Sequence, residues 1–362
     1  MSRKSLKWLP ALVVPAVIAV AVVAVPLQAG ASVDLPDKSA DEVLRLIAES
    51  TEDSFSGTVE KTAALGLPAI PEGIDGMAPG AGDAGAVASA FEMLSGTQEA
   101  RVFADGPLNL RVQVKDSLAE RNAITNGSDA WFYDSETNVV THVAIPADVE
   151  AELREELDAS ATMATPAQIA DRILEKLGPS TDFAVGTDAT VAGRTVYELV
   201  LTPQASGTLA ESVSISVDSE TGLPLQVSVA AAGQKDPAFE VGFTEIDFSE
   251  PAADLFEFTP GDGVTAEEKP FPSAPGEHSH DSGTPSAEPV VTGDGWDAIV
   301  EVPAASVPDD LANDPLLAQL TTEVDGGRVF STALVTVLLT DDGRILAGSV
   351  PADTLLTAAD AG

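Results

Sequence analysis

The sequence predicts an α+β chain dominated by an antiparallel sheet with one persistently apolar face. Three observations predict it. Segments with a period of two recur between Phe55 and Phe248. Helical spacing is confined to a few stretches beside them. Turn-forming residues separate neighbouring strands closely enough for hairpins.

The elements follow in order. Asp34 to Ser50 reads as a helix, because Val43, Leu44 and Ile47 recur at helical spacing and Ser39 stands before Asp41 and Glu42 as a cap. In FSGTVEKTAAL the odd positions Phe55, Val59, Ala63 and Leu65 are apolar and Lys61 is the exception. Leu67 to Ala90 has too many Gly and Pro residues for a strand and too little periodicity for a helix. Two readings fit it: a flap continued by Phe91, Met93 and Leu94, or an insertion in a hairpin.

From Gly96 the period of two takes over. LNLRVQV puts Leu108, Leu110, Val112 and Val114 on one side, with Asn109, Arg111 and Gln113 on the other. RNAIT and NGSDAWFYDSETNVV continue the pattern. In the latter, Asn126-Gly127 and Ser135 to Asn138 are turns, so Trp131 and Tyr133 share one face and Phe132 takes the other. Asp148 to Ser160 and Thr165 to Leu177 are predicted helices, the second with Pro166 at its start and Gly178-Pro179 at its end. Strands then return: Tyr197, Leu199 and Leu201; Val213, Ile215 and Val217; Leu225, Val227 and Val229; and Phe239, Val241 and Phe243. In the last, Ile246 and Phe248 continue on the other parity, which predicts a bulge near Glu245.

At the amino end, Arg3, Lys4 and Lys7 precede an apolar run from Trp8 to Leu27, followed by Ala29-Gly30-Ala31. This reads as a secretory signal cleaved after Ala31 or as a membrane anchor; Pro10, Pro15 and Pro26 weigh against a permanent helix. Either way the chain is expected outside the cytoplasm, in the cell envelope or secreted. Residues 269–292 are rich in Pro, Ser, Gly and His and read as a linker. Residues 293–362 read as a small appended unit. In it LLAQLT is helix-like, and RVFSTALVTVLLTDDGRILAGSV forms two strands joined at Asp341-Asp342-Gly343.

Composition excludes several functions. Eighteen basic against 58 acidic residues give a net charge of −40, which repels nucleic-acid phosphates. No cysteine is present, so disulfides, thiolate metal sites, cysteine nucleophiles and cysteine lipid anchors are excluded. His142 sits on a predicted strand with no nucleophile pattern beside it, and His278 and His280 sit in the linker, where polar filler explains them. No phosphate loop, dinucleotide fingerprint, zinc helix motif or nucleophile elbow occurs. The acids Glu150, Glu152, Glu155 and Glu156 fit a solvated helix face. The residues therefore point to no enzyme, no metal and no cofactor. They point to a sheet whose apolar side is either filled by its own side chains or left open to an apolar ligand.

The order of these motifs resembles the LolA-like family of periplasmic lipoprotein carriers and their relatives, from about Ala40 to Lys269. It is carried by VLRLIAESTEDSFSGTVE, RVFADGPLNLRVQV, NGSDAWFYDSETNVV, YELVLTP, SVSISVDSETGLPLQVSV and FTEIDFSEPAADLFEFTPGDGV. The tail, with GGRVFSTALVTVLLTDDGRILAGSV, resembles that of actinobacterial members. The resemblance implies an unclosed antiparallel β-barrel, a half-barrel, with lid helices over an apolar cavity, in residues 34–268. It implies binding or transport of lipid acyl chains or lipoproteins without catalysis. Its runner-up is an RseB/MucB-like envelope sensor that binds a membrane protein partner. A family arginine that contacts the lid has two counterparts to choose from, Arg101 and Arg111. Shared parity on successive strands nominates the lipid-binding residues Leu110, Val112, Val114, Trp131, Tyr133, Leu199, Leu201, Ile215, Val217, Val227 and Val229.

Overall fold

A computed structural model describes residues 35–67, 96–115, 119–149, 177–271, 289–307 and 320–361, with residues 151 and 174. The predicted flap, the two later helices, the apolar amino-terminal run, most of the linker and LLAQL lie wholly or largely outside the described residues.

Helix α1 spans Ala40–Glu49. It starts later than the spacing suggested, and the cap explains why. Ser39 is extended, its hydroxyl accepts from the Glu42 amide, and the Glu42 carboxylate accepts from the Ser39 amide. This reciprocal box satisfies two amides that would otherwise have no partner in the first turn.

The main sheet has thirteen strands. They are β1 Ser54–Ala63, β2 Gly96–Asp105, β3 Asn109–Lys115, β4 Glu120–Asn126, β5 Asp129–Asp134, β6 Val139–Ala144, β7 Thr181–Val185, β8 Ala189–Val191, β9 Arg194–Pro203, β10 Ala210–Asp218, β11 Pro224–Ala231, β12 Phe239–Asp247 and β13 Thr265–Lys269. Their spatial order is β13-β6-β5-β4-β3-β2-β1-β12-β11-β10-β9-β7, with β8 on β9. The two ends, β13 and β7, do not pair with each other, so the sheet is an open half-barrel. Every pairing is antiparallel except β13 on β6. The predicted bulge is present: Val59 pairs with Phe243 and Thr58 with Glu245, which leaves Thr244 as the extra residue.

Three features hold this sheet. Helix α1 lays Val43 and Leu44 onto Tyr197, Leu199, Leu201 and Val217. The turn between β10 and β11 is fixed by the fully buried Asp218. Its carboxylate accepts from Arg194 at 3.0 and 2.8 Å and from the Thr221 amide and hydroxyl. After β12 the chain crosses back as a strap, residues 248–264, containing the short helical turn Ala253–Phe256 with Phe256 buried.

The carboxy-terminal unit holds a second sheet of six strands in the order β14-β15-β19-β18-β17-β16. These are β14 Val290–Thr292, β15 Ile299–Val302, β16 Thr322–Val324, β17 Gly327–Ser331, β18 Thr336–Thr340 and β19 Ile345–Gly348. Helix α2, Ala352–Ala361, covers it through Leu355. The expected pair of strands is in fact three. Thr332 breaks the apolar run by accepting, through its hydroxyl, from the Leu334 and Val335 amides. The Asp341-Asp342-Gly343 hairpin lies where the sequence places it.

This unit docks on the main sheet. The Leu209 amide donates to Ser349 O at 2.8 Å, and the Ala333 amide to Leu65 O at 2.7 Å. The Trp296 indole N–H reaches Thr181 Oγ1 at 2.8 Å. Leu65, Leu209 and Thr181 mark the end of β1, the start of β10 and the start of β7, so the contacts gather at one rim of the half-barrel.

Candidate functional site

Register decides which side chains share a face. One row runs Val185, Leu199, Ile215, Val227, Val241 and Lys61, each directly paired across the sheet. The neighbouring row runs Phe183, Leu201, Val213, Val229, Phe239 and Ala63. Phe55 pairs with Ala104 and carries the same face onto β2. It continues as Ala104, Leu110, Thr125 and Ala130; as Val102, Val112, Ala123 and Phe132; and as Ala100, Val114, Arg121 and Asp134. One largely aliphatic face therefore crosses the whole half-barrel.

Its two ends differ in cover. Over β9 and β10 the face is closed: Leu199, Leu201 and Val217 are buried beneath α1. It opens on β11 and again from β3 to β5, while Val59, Lys61, Ala100, Val102 and Ala104 on β1 and β2 are buried between them. Val227, Val229, Val112 and Val114 are half-buried, Leu110 is 40 % exposed and Phe132 is 53 % exposed. Val59 and Val102, with Phe55, Val241 and Phe243 around them, join the two halves. The conspicuous polar member is Lys61, 3 % exposed, whose ammonium is pushed to a lower pKa by burial. Further along β4 and β5 the face ends on Arg121 facing Asp134 at 3.5 Å.

The nominated set does not lie on one face. Leu110, Val112, Val114, Leu199, Leu201, Ile215, Val217, Val227 and Val229 do share it. Trp131 and Tyr133 project from the opposite side with Ile124 and Asn122. The reason is the pair of hairpins that join β3 to β4 and β4 to β5. Val112 pairs with Ala123 and Ala123 with Phe132, so parity inverts twice and Phe132, not Trp131, aligns with Val112.

The opposite face over β3 to β6 is covered by the strap. Arg111 donates to Leu255 O at 3.2 Å and to Asn122 Oδ1, so it ties the strap down. Arg101, the other arginine considered, lies over the Phe103 ring at the mouth of a depression of about 270 Å³ lined by Ser56, Thr58, Glu245 and Asp247. That depression is polar and unsuited to a hydrocarbon chain. Tyr133 packs on Phe258 and its hydroxyl donates to Asn138 Oδ1, while Trp131 stacks on His142. The aromatic residues of this hairpin thus divide. Two anchor the strap side, and Phe132 stands open on the aliphatic side.

Among the described residues no group of three His, Asp or Glu side chains is placed to hold a metal ion. Nor, among them, is any helix long and apolar enough to cross a membrane.

Comparison with known proteins finds distant neighbours among solved structures. A chain of the Pseudomonas aeruginosa MucA/MucB complex is similar at 15% identity and a TM-score of 0.43, over 88% of this chain and 96% of that one. An uncharacterized conserved protein from Thermus thermophilus is similar at 12% identity and a TM-score of 0.35, over 64% of this chain and 99% of that one. A LolA superfamily protein from Nitrosomonas europaea is similar at 10% identity and a TM-score of 0.24, over 61% and 99%. No curated protein matches the sequence. Residues 86–266, half of the chain, match the model of the family described as "Predicted periplasmic protein (DUF2092)", and the chain belongs to that family.

Proposed function

We propose that this protein binds lipid acyl chains, free or as part of a lipoprotein, outside the cytoplasm, and that it does so without catalysis. The observation that carries the reading is the aliphatic face of the half-barrel. It is buried under α1 at one end and again on β1 and β2, and half-open on β11 and from β3 to β5. The apolar amino-terminal run would deliver the chain to the envelope as a signal or hold it there as an anchor. Leu110, Val112, Val114, Val227, Val229 and Ile215 are the proposed lipid contacts from the nominated set, and Phe132 joins them. Leu199, Leu201 and Val217 act beneath them as the packed floor. Trp131 and Tyr133 support the strap.

The energetics suit a carrier. Each buried CH₂ is worth ~0.8 kcal/mol, so a ~16-carbon chain gains on the order of 13 kcal/mol on leaving water. A membrane offers the same gain. A face of Val, Leu and Phe holds such a chain without directional polar bonds, so exchange with a membrane stays near balance. Charge adds a constraint, since a net charge of −40 keeps the protein off anionic lipid surfaces at long range.

Native mass spectrometry and lipid extraction of protein purified from its own host test this reading. Adducts of acyl-lipid mass, displaced by a fluorescent fatty-acid probe, are the expected result. Repeated preparations free of lipid that also fail to bind the probe would overturn it. A membrane-protein partner retained by such lipid-free protein, and lost when residues 293–362 are removed, would favour the regulator instead.

A further inference from the structure

The parallel edge strand β13 is exposed along its whole length and hangs on β6. One side chain of β6 reaches both ways from this junction. His142 Nε2 lies 2.7 Å from Asp129 Oδ1 on β5, and His142 Nδ1 lies 2.8 Å from Glu268 Oε2 on β13. A neutral imidazole carries one N–H, so it can donate to one carboxylate only and must turn a lone pair towards the other. Both contacts are attractive together only when the ring is an imidazolium. We infer that Asp129, His142 and Glu268 form a proton-operated clasp that fastens β13, and with it the end of the strap, to the half-barrel.

The surroundings leave these two carboxylates as the controlling charges. Trp131 stacks on the ring at 5.4 Å between centroids and contributes no charge. The neighbours of Glu268 on β13, Glu267 and Lys269, alternate to the other side of the strand, where they face each other at 3.7 Å. Asp129 is held in place by the Ser128 hydroxyl at 2.7 Å and by its own amide, which donates to Asn126 Oδ1. On the strap side, Asn138 Nδ2 donates to Gly263 O, and the Thr265 amide to Asn138 O. These uncharged bonds and the backbone ladder from Thr265–Val139 to Lys269–Val143 set the register of β13, and the clasp adds to them at its far end.

The direction of the pH response follows from the geometry. The Asp129 contact raises the His142 pKa above its ordinary value, burial opposes this, and the Glu268 contact adds to the rise. A group whose folded pKa is raised contributes fully below its unfolded value, ~6.5 for histidine, and loses that contribution as pH rises through the folded value. The clasp is therefore closed below the ordinary histidine pKa and released as pH rises through the raised folded value.

The test uses the full chain. The His142 ring is titrated by NMR, with His142→Asn identifying its signal against those of His278 and His280. Amide exchange of residues 265–269 is measured at pH 5.5 and 8.5, corrected for intrinsic rates. The expected result is a His142 midpoint above 6.5 and protection of β13 that falls several-fold at the higher pH, while β9 to β11 stay constant. Glu268→Gln, at a side chain 75% exposed and so tolerant of change, should lower the midpoint and remove most of the pH dependence. A midpoint at or below 6.5, or β13 protection equal at both pH values, would overturn the inference. These readouts need no lipid, so they stand or fall apart from the proposed function.

Discussion

Exchanging the roles of two adjacent aromatic residues gives a sharp test of the face assignment. Phe132→Ala and Trp131→Ala remove rings one residue apart but on opposite sides of β5. With 53 % of Phe132 exposed, under half of a ring worth ~150–250 Å² is covered. At ~25 cal/mol per Å², and net of what alanine would still bury, its loss costs only ~1 kcal/mol of stability. Trp131 is half-buried, stacked on His142 and paired with Ile124, so its truncation should cost about 2–3 kcal/mol, below the ~3–5 of a fully buried ring. Binding should change in the other order. If Phe132 covers two or three methylenes of an acyl chain, its removal forfeits ~0.8 kcal/mol for each. At ~1.4 kcal/mol per decade this weakens the dissociation constant roughly 15- to 50-fold. Trp131→Ala should leave binding within about threefold when measured well below its melting temperature. Thermal melts and a titration with a fluorescent fatty-acid probe read both quantities. Loss of binding in Trp131→Ala with binding retained in Phe132→Ala would refute the reasoning.

Further predictions concern the frame. Asp218→Asn should cost about 3 kcal/mol, because it strips the paired charge from a buried carboxylate facing Arg194. Burial pushes the Asp218 carboxyl up, but Arg194 and Thr221 together hold it below the usual carboxylate range. Its contribution is therefore present above ~3.9 and lost as pH falls through the lower folded value, so the gap between the melts of the two proteins should narrow in acid. Gly222→Ala should cost more than Gly233→Ala. Both glycines have positive φ, at 77° and 81°, but a Cβ at Gly222 would lie 2.1 Å from Leu46 O on α1, whereas at Gly233 nothing lies within 4 Å. The control should lose about 1 kcal/mol and Gly222→Ala at least twice that, with α1 loosened in hydrogen exchange. Equal losses would show that α1 does not rest on this turn.

The antiparallel sheet was legible because each strand announces itself through alternation. Val213, Ile215 and Val217 set off by Ser214 and Ser216 is the plainest case, and the bulge at Thr244 showed itself as a change of phase. Ser39 was legible as the cap of α1, but the reciprocal bond from Glu42 and the late start at Ala40 were not. Less visible were strands without an apolar side: β13, whose sequence is Thr-Ala-Glu-Glu-Lys, pairs through its backbone and is exposed throughout. The break at Thr332 was hidden inside an apolar run, since a hydroxyl-capped turn carries no change in hydropathy. The candidate site was legible in its aliphatic rows and not in its aromatic hairpin. Alternation gives the relative faces of Trp131, Phe132 and Tyr133 within β5. Joining β5 to β3 requires the register of two hairpins, and β4 reads as apolar on both parities at Ala123 and Ile124. The cover of the opposite face comes from the strap, 144 positions from Arg111 at its closest bond, which no local pattern encodes.

The central claim is that an acyl chain lies on one particular face of the half-barrel. A nitroxide-labelled fatty acid added to methyl-labelled protein tests it directly. The account predicts strong paramagnetic broadening of the methyls of Leu110, Val112, Val227 and Val229, with Ile124 and Val140 on the strap side spared. Broadening centred on Ile124 and Val140, or no site-specific broadening at all, would contradict it.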